Sequence, residues 1–190
     1  MSHVSIIGSG NMGQAIAAVI AKGGNTVELF NSTDKDKTVS GDVVVLAVPY
    51  PSVAQVLADR ADQLAGKVVV DITNPLNFET FDSLVVPADS SAAAELAAKL
   101  PDSKVLKAFN TTFAAAVASG RTGDVPTTVL IAGDDVDAKA ELAGIISAGG
   151  LRAVDAGGLK RARELEAAAF LQLTLAVGEK VAWTGGFALV

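Results

Sequence analysis

The chain has 190 residues, no cysteine, one histidine and a formal net charge of −6. Without cysteine there is no disulfide, thiolate nucleophile or thiolate metal site, and the lone His3 supports neither a Ser-His-Asp arrangement nor a His-rich metal centre. The acidic balance argues against nucleic-acid binding, which needs a basic face. No apolar run reaches the roughly 18 to 20 residues of a membrane span, so a cytoplasmic protein without membrane attachment is expected.

Val4-Ser5-Ile6-Ile7 reads as a buried strand, and Gln14-Ala15-Ile16-Ala17 onward reads as a helix to residue 21. Between them lies Gly8-Ser9-Gly10-Asn11-Met12-Gly13, a Gly-x-Gly-x-x-Gly turn placed where a dinucleotide pyrophosphate needs it. Gly8 makes the tight turn, Gly10 lets the backbone approach the phosphates, and Gly13 lets helix and strand pack closely. The helix N-terminus then presents free N–H groups and a positive dipole end to the anion.

Further strands are predicted over residues 26–30, 43–48, 67–72, 104–109, 127–132 and 151–155. Helices are predicted over 52–64, 91–100, 112–119 and 136–148, with an apolar helix running to about residue 182. Continuous apolar runs such as Val43-Val44-Val45-Leu46-Ala47-Val48 suit strands covered on both faces. The alternation implies an α/β fold, a doubly wound and mostly parallel sheet with a short C-terminal helical appendage. Residues 1–155 are expected to form the dinucleotide-binding domain, and 156–190 a helix and tail packed on it or on a partner subunit. The segment from Asn31 to Asp42 holds one apolar residue, Val39, so it is expected to be a trimmed loop where a crossover helix would normally stand.

The end of the second strand decides between the two nicotinamide cofactors. Here it carries Asn31-Ser32-Thr33, with Lys35 and Lys37 beyond and no acid at the strand end, which favours NADP. Asp34 and Asp36 blunt that field, and no arginine is expected at this site for bidentate phosphate contact. A solvated loop is the alternative reading of the lysines.

Five motifs in order resemble the deazaflavin-dependent NADP reductases and their relatives, among them the reductase domains of membrane metalloreductases. They are Ile6-Ile7-Gly8-Ser9-Gly10-Asn11-Met12-Gly13, Leu46-Ala47-Val48-Pro49-Tyr50, Asp71-Ile72-Thr73-Asn74-Pro75-Leu76, Lys107-Ala108-Phe109-Asn110-Thr111, and Asp155-Ala156-Gly157-Gly158-Leu159 with Ala162-Arg163 and Leu165-Glu166. The resemblance implies a Rossmann-type fold and NADPH as cofactor, with a flavin or 8-hydroxy-5-deazaflavin as second redox partner. It implies that Ser9 to Met12 cradle the pyrophosphate and that Asn31, Ser32 and Thr33 take the 2′-phosphate. It also puts Val48, Pro49 and Tyr50 beside the nicotinamide ribose, and Asn74, Pro75 and the segment Phe109-Asn110-Thr111-Thr112 in the reaction pocket. The chain departs from that family in lacking a Ser-Arg pair at the phosphate site and a histidine near Asn110.

A chain with no evident nucleophile or general base suits hydride transfer between two stacked rings, where the protein supplies orientation. Asn110 and Thr111 are the expected catalytic residues; capping of the helix near Thr112 is the alternative for Asn110. The leading function is an NADP(H)-dependent oxidoreductase acting on a flavin, deazaflavin or other small acceptor. Reduction of C=N or C=O bonds in a small metabolite, and a non-catalytic NADP(H) sensor, stay open beside it. The apolar last helix suggests a homodimer.

Overall fold

Strands made of unbroken β-branched residues need cover on both faces, and the chain provides it with helices. The computed structural model describes all 190 residues. In chain order these are β1 (His3–Ile7), α1 (Asn11–Lys22), β2 (Thr26–Phe30), β3 (Val43–Leu46), α2 (Val53–Leu64) and β4 (Val68–Asp71). Then come α3 (Ala92–Lys99), β5 (Lys104–Lys107), α4 (Ala114–Ser119), β6 (Arg121–Thr122), β7 (Val125–Pro126), β8 (Thr128–Gly133), α5 (Val136–Ala148), β9 (Arg152–Gly157) and α6 (Ala162–Val177).

Seven strands form one sheet in the order β2-β1-β3-β4-β5-β8-β9, with β6 and β7 as a separate small hairpin. The chain steps from β1 to β2 on one side and then crosses back to β3, so the order reverses between β1 and β3. In such sheets a crevice opens at the carboxyl ends of the strands at that reversal. On one face a single apolar cluster joins Ile16, Val19 and Ile20 of α1 with Val4, Ile6, Val43 and Val45, and Leu142, Ile145 and Ile146 of α5 with Val129 and Ile131 of β8. The opposite face packs Leu64, Leu96 and Leu100 onto Ile7, Val44, Leu46, Val69 and Val105. Alternate residues of β1 and β3 therefore serve opposite layers, as a two-sided sheet requires.

Every predicted strand is present, but one direction was not anticipated. β5 and β8 pair antiparallel, while β8 and β9 are parallel. The short α4 and the β6–β7 hairpin make the connection, and β8 starts at the end of the sheet where β5 finishes. Residues 31–42 hold no helix, as expected of a trimmed connection, and Val39 is its buried anchor. The last helix stops at Val177, short of residue 182, where Gly178 closes it and an irregular tail begins. No helix is long and apolar enough to cross a membrane.

Candidate functional site

The glycine turn sits directly after β1, at the strand-order reversal. Gly8 has φ +119°, and a Cβ there would lie 2.1 Å from the Ala47 carbonyl oxygen. A Cβ on Gly13 would lie 2.0 Å from the Gly8 carbonyl oxygen. Gly10 differs, since a Cβ there would meet nothing within 4 Å. Two glycines thus serve the close approach of helix and strand, and the third borders open space. Helix α1 has no side-chain cap at its start, and the N–H groups of Asn11, Met12 and Gly13 make no hydrogen bond. Unpaired first-turn donors beside a side-chain-free residue fit an anion such as a pyrophosphate.

Clefts open on both sides of this turn. The one on the β2 side, about 530 Å³, is lined by Gly8, Ser9, Gly10, Asn31, Ser32, Lys35, Val48, Pro49 and, from α2, Gln55, Asp59 and Arg60. Asn31 shapes its rim by accepting from Thr33 N at 2.8 Å and from Thr33 Oγ1 at 2.5 Å. Asp34 accepts from Asn31 N at 2.9 Å and pairs with Lys37 Nζ at 2.7 Å; those hydrogen bonds hold its carboxyl below the usual carboxylate range. Arg60 donates to the carbonyls of Asp34, Lys35 and Lys37, and its guanidinium lies 5.2 Å from the centre of the Phe30 ring. The expectation of no arginine here is corrected: the loop has none, and α2 delivers one.

The second cleft, about 400 Å³, lies toward β4 and β5. Asn11, Met12, Ile72, Asn74, Asn110, Thr112, Phe113, Leu173 and Trp183 line it. Asn74 and Asn110 are bonded reciprocally: Asn74 Nδ2 donates to the Asn110 carbonyl at 3.1 Å, and Asn110 Nδ2 donates to Asn74 Oδ1 at 3.1 Å. Asn110 Nδ2 also donates to the Leu165 carbonyl at 3.0 Å. Main-chain carbonyls only accept, so these contacts fix the orientation of both amides. Asn110 Oδ1 is left buried with no partner. Such an orphaned acceptor is costly and marks a place for a donor from a ligand.

The backbone just before Asn110 is strained. Phe109 has φ +61°, and Asn110 N–H bonds to the Ala108 carbonyl at 2.8 Å, closing a three-residue turn. A positive φ at a buried aromatic residue is rare and is tolerated where the surroundings over-determine it. Thr112 helps, donating through Oγ1 to the Phe109 carbonyl at 2.7 Å. Helix α4 is capped at Phe113, so Asn110 is not its cap.

Beneath the second cleft lies a buried ionic cluster. Lys107 Nζ contacts Asp71 Oδ2 at 2.8 Å, Glu166 Oε1 at 2.7 Å and the Thr73 carbonyl at 2.6 Å. Glu166 in turn accepts from Ala92 N at 2.9 Å and Ala93 N at 3.3 Å, at the start of α3. Those helix donors offset part of the excess negative charge of two carboxylates on one ammonium. Burial still pushes the Glu166 carboxyl above its ordinary range, against the pull of Lys107. The cluster ties α6 to the carboxyl ends of β4 and β5, next in sequence to the Leu165 carbonyl that receives Asn110.

Several expected residues stand elsewhere. Tyr50 faces neither cleft; its hydroxyl donates to Glu95 Oε2 at 2.8 Å, and burial with that carboxylate pushes its pKa up to about 12. Thr111 lines neither cleft, and its carbonyl accepts from Gln172 Nε2 at 3.1 Å; of that segment Asn110 and Thr112 line the second cleft. Thr33 shapes the loop without lining the cleft, and Pro75 is buried behind Asn74. Arg60 and Trp183 were missed because each comes from an element remote in sequence from the motifs, and Phe113, two residues past one of them, because a motif does not say which way its neighbours face; the rings of Phe113 and Trp183 meet at 4.9 Å.

The family described as NADP oxidoreductase, coenzyme F420-dependent, matches residues 25–75. The F420-dependent NADP reductase of Methanocaldococcus jannaschii is 32% identical over 173 residues, covering 88% of this chain and 76% of that protein. The metalloreductase STEAP3 of Rattus norvegicus is 33% identical over 180 residues, covering 86% of this chain but only 36% of its own length. A crystal structure from Arthrobacter sp. FB24 shares the fold over 100% of both chains, with a TM-score of 0.86 at 24% identity.

Proposed function

This chain belongs to the F420-dependent NADP reductase family and is an NADP-dependent oxidoreductase, and on that premise we propose how its two clefts divide the reaction. The β2-side cleft takes the adenosine half of NADPH, and the cleft over β4 and β5 brings the nicotinamide against a deazaflavin ring. Free N–H groups of Asn11, Met12 and Gly13, with Gly8, Ser9 and Gly10, receive the pyrophosphate between them. Asn31, Ser32 and Lys35 face the 2′-phosphate, and Val48 with Pro49 flanks the ribose.

When bound, the two rings supply and accept the hydride; the chain's part is orientation and exclusion of water. Asn74 and Asn110 hold that orientation, with the free Asn110 Oδ1 accepting from a carboxamide or ring N–H. Phe113, Leu173 and Trp183 form the apolar wall against which a planar acceptor lies. The carrying observation is the amide pair with its unused acceptor in the cleft adjoining the glycine turn. Lys107 is spent on three acceptors beneath the cleft and no other lysine lines it, which counts against a lysine-assisted imine or keto reductase.

We read residues 1–155 as the nucleotide-binding unit and 156–190 as the appendage that braces Asn110. A homodimer is proposed through the outer side of that appendage, where Leu171, Val177, Phe187 and Leu189 are exposed. A cytoplasmic setting, where small redox carriers exchange freely, belongs to the same proposal. The test is NADPH oxidation by purified protein against F420, FMN, a cyclic imine and a keto acid. Fast turnover with F420 is expected; preferential turnover of the imine or keto acid overturns the reading. Light scattering during size exclusion tests the dimer, and a monomer at micromolar concentration removes it.

A further inference from the structure

Arg60 is a buried cation with no ion-pair partner. Its side chain leaves the last turns of α2, is 6% exposed, and crosses the Phe30 ring to reach the loop after β2. Its guanidinium donates to the carbonyls of Lys37 at 2.5 Å and Lys35 at 3.5 Å, and to that of Asp34. No carboxylate forms an ion pair with it, whereas buried Lys107 has two; the nearest acid, Asp34, whose carboxyl Arg60 helps to lower, is already paired with Lys37. Carbonyl dipoles solvate the guanidinium but leave its full charge in place. A buried charge in that state is costly until an anion comes close.

The open side of this cation is the β2-side cleft, which it lines together with Asn31, Ser32 and Lys35. Lys37 and Asp34 cancel one another through their ion pair. Asp59, exposed on the same rim and bonded to Gln55 Nε2 at 2.8 Å, opposes the two remaining cations. The rim is left with a net positive charge, suited to a phosphate dianion. A plain ribose diol has no charge for Arg60 to meet. We propose that Arg60 is the residue that selects NADP over NAD in this chain, supplying from α2 the guanidinium that the loop after β2 lacks. The proposal rests on the reading of this cleft as the adenosine end of NADP.

The test uses isothermal titration of the full chain with 2′-phospho-ADP-ribose and with ADP-ribose, ligands that lack the nicotinamide. Arg60→Met should weaken the phosphorylated ligand at least tenfold and leave ADP-ribose within about twofold, near the cost of one charge-assisted contact. Arg60→Lys should fall between, and Asp59→Asn should tighten only the phosphorylated ligand. Wild-type preference should also shrink as salt rises. If Arg60→Met fails to fold, Arg60→Lys and Asp59→Asn still decide. Equal weakening of both ligands makes Arg60 a brace of the loop and overturns the inference, as does preference retained without it. Wild type that binds neither ligand overturns the assignment of the cleft itself.

Discussion

The two sides of the glycine turn are built by opposite means. On the β2 side, Asn31, Ser32 and Lys35 face water, and the loop is held by its own Asx-type contacts and by Arg60. Toward β4 and β5, Asn110 is 5% exposed and is held by Asn74, by Leu165 and by a strained turn at Phe109. The difference follows the task. Recognising a phosphate needs charge at the right place, which tolerates water and modest motion. Aligning two rings for hydride transfer needs donors and acceptors fixed in advance, which a buried and mutually bonded pair provides.

The sharpest break of that comparison is at the turn both sides share. Gly10→Val should abolish NADPH binding, a loss of at least about a hundredfold, with the melting temperature nearly unchanged. Its side chain would enter open cleft space. Gly13→Ala should do the reverse and lower stability first, because its Cβ would meet the Gly8 carbonyl. A Gly10→Val protein that still binds NADPH would dissolve the cradle.

Next in size is the cluster under the buried side. Lys107→Met should destabilise the fold by about 3 to 5 kcal/mol, the usual cost of stranding a buried partner. Its pH dependence carries a sign. The Glu166 carboxyl titrates above its unfolded value in the native state, so its contribution is present below that value and is lost as pH rises through the native pKa. Removing Lys107 raises that pKa further, so the deficit in thermal melts should be larger near pH 8 than near pH 5. A deficit independent of pH would mean the cluster is not charged as drawn. On the open side, Arg60→Met should change the pH profile of stability much less, since Arg60 forms no ion pair and is only the least of the causes that lower the Asp34 carboxyl, after its bonds to Asn31 N and Lys37.

Within the buried side, Asn110→Ala should slow hydride transfer about 10- to 100-fold while NADPH affinity shifts only a few-fold. Stopped-flow single turnovers separate the two. Asn74→Ala combined with it should be strongly non-additive, because the amides hold one another. Additive losses would make them independent contacts.

The seven strands and the glycine turn were legible because they are local: each is a contiguous apolar run or a fixed glycine spacing. Asn74 and Asn110 were legible through motifs, and the structure brings them together across 36 positions of sequence. What escaped is what depends on tertiary direction. A short strand reads alike in either orientation, so the reversal of β8 was hidden, as was the two-residue pairing of β6 with β7. Arg60 lay inside a helix with no nearby motif, and only folding carries it to the loop. Tyr50 and Thr111 lie off both clefts for a related reason: neighbours in a motif face different ways, and Glu95 takes the Tyr50 hydroxyl while Gln172 bonds the Thr111 carbonyl.

The smallest effect expected lies at the acceptor wall. Trp183 is half exposed in the irregular tail, with its ring 4.9 Å from that of Phe113. The tail is pinned there by Phe187 N–H donating to Gln172 Oε1 at 2.5 Å and Gly123 N–H donating to the Thr184 carbonyl at 3.2 Å. A planar tricyclic acceptor gains contact and ring stacking from such a residue, worth about 0.5 to 1.5 kcal/mol beyond area. Trp183→Ala should therefore raise the KM for F420 about tenfold, while the KM for NADPH and the melting temperature stay near wild type. Trp183→Phe should recover most of the loss, because a flat apolar face remains. If the NADPH constant moves instead, the tail covers the nicotinamide half of the cleft, and the acceptor must approach from the side of Met12 and Ile72.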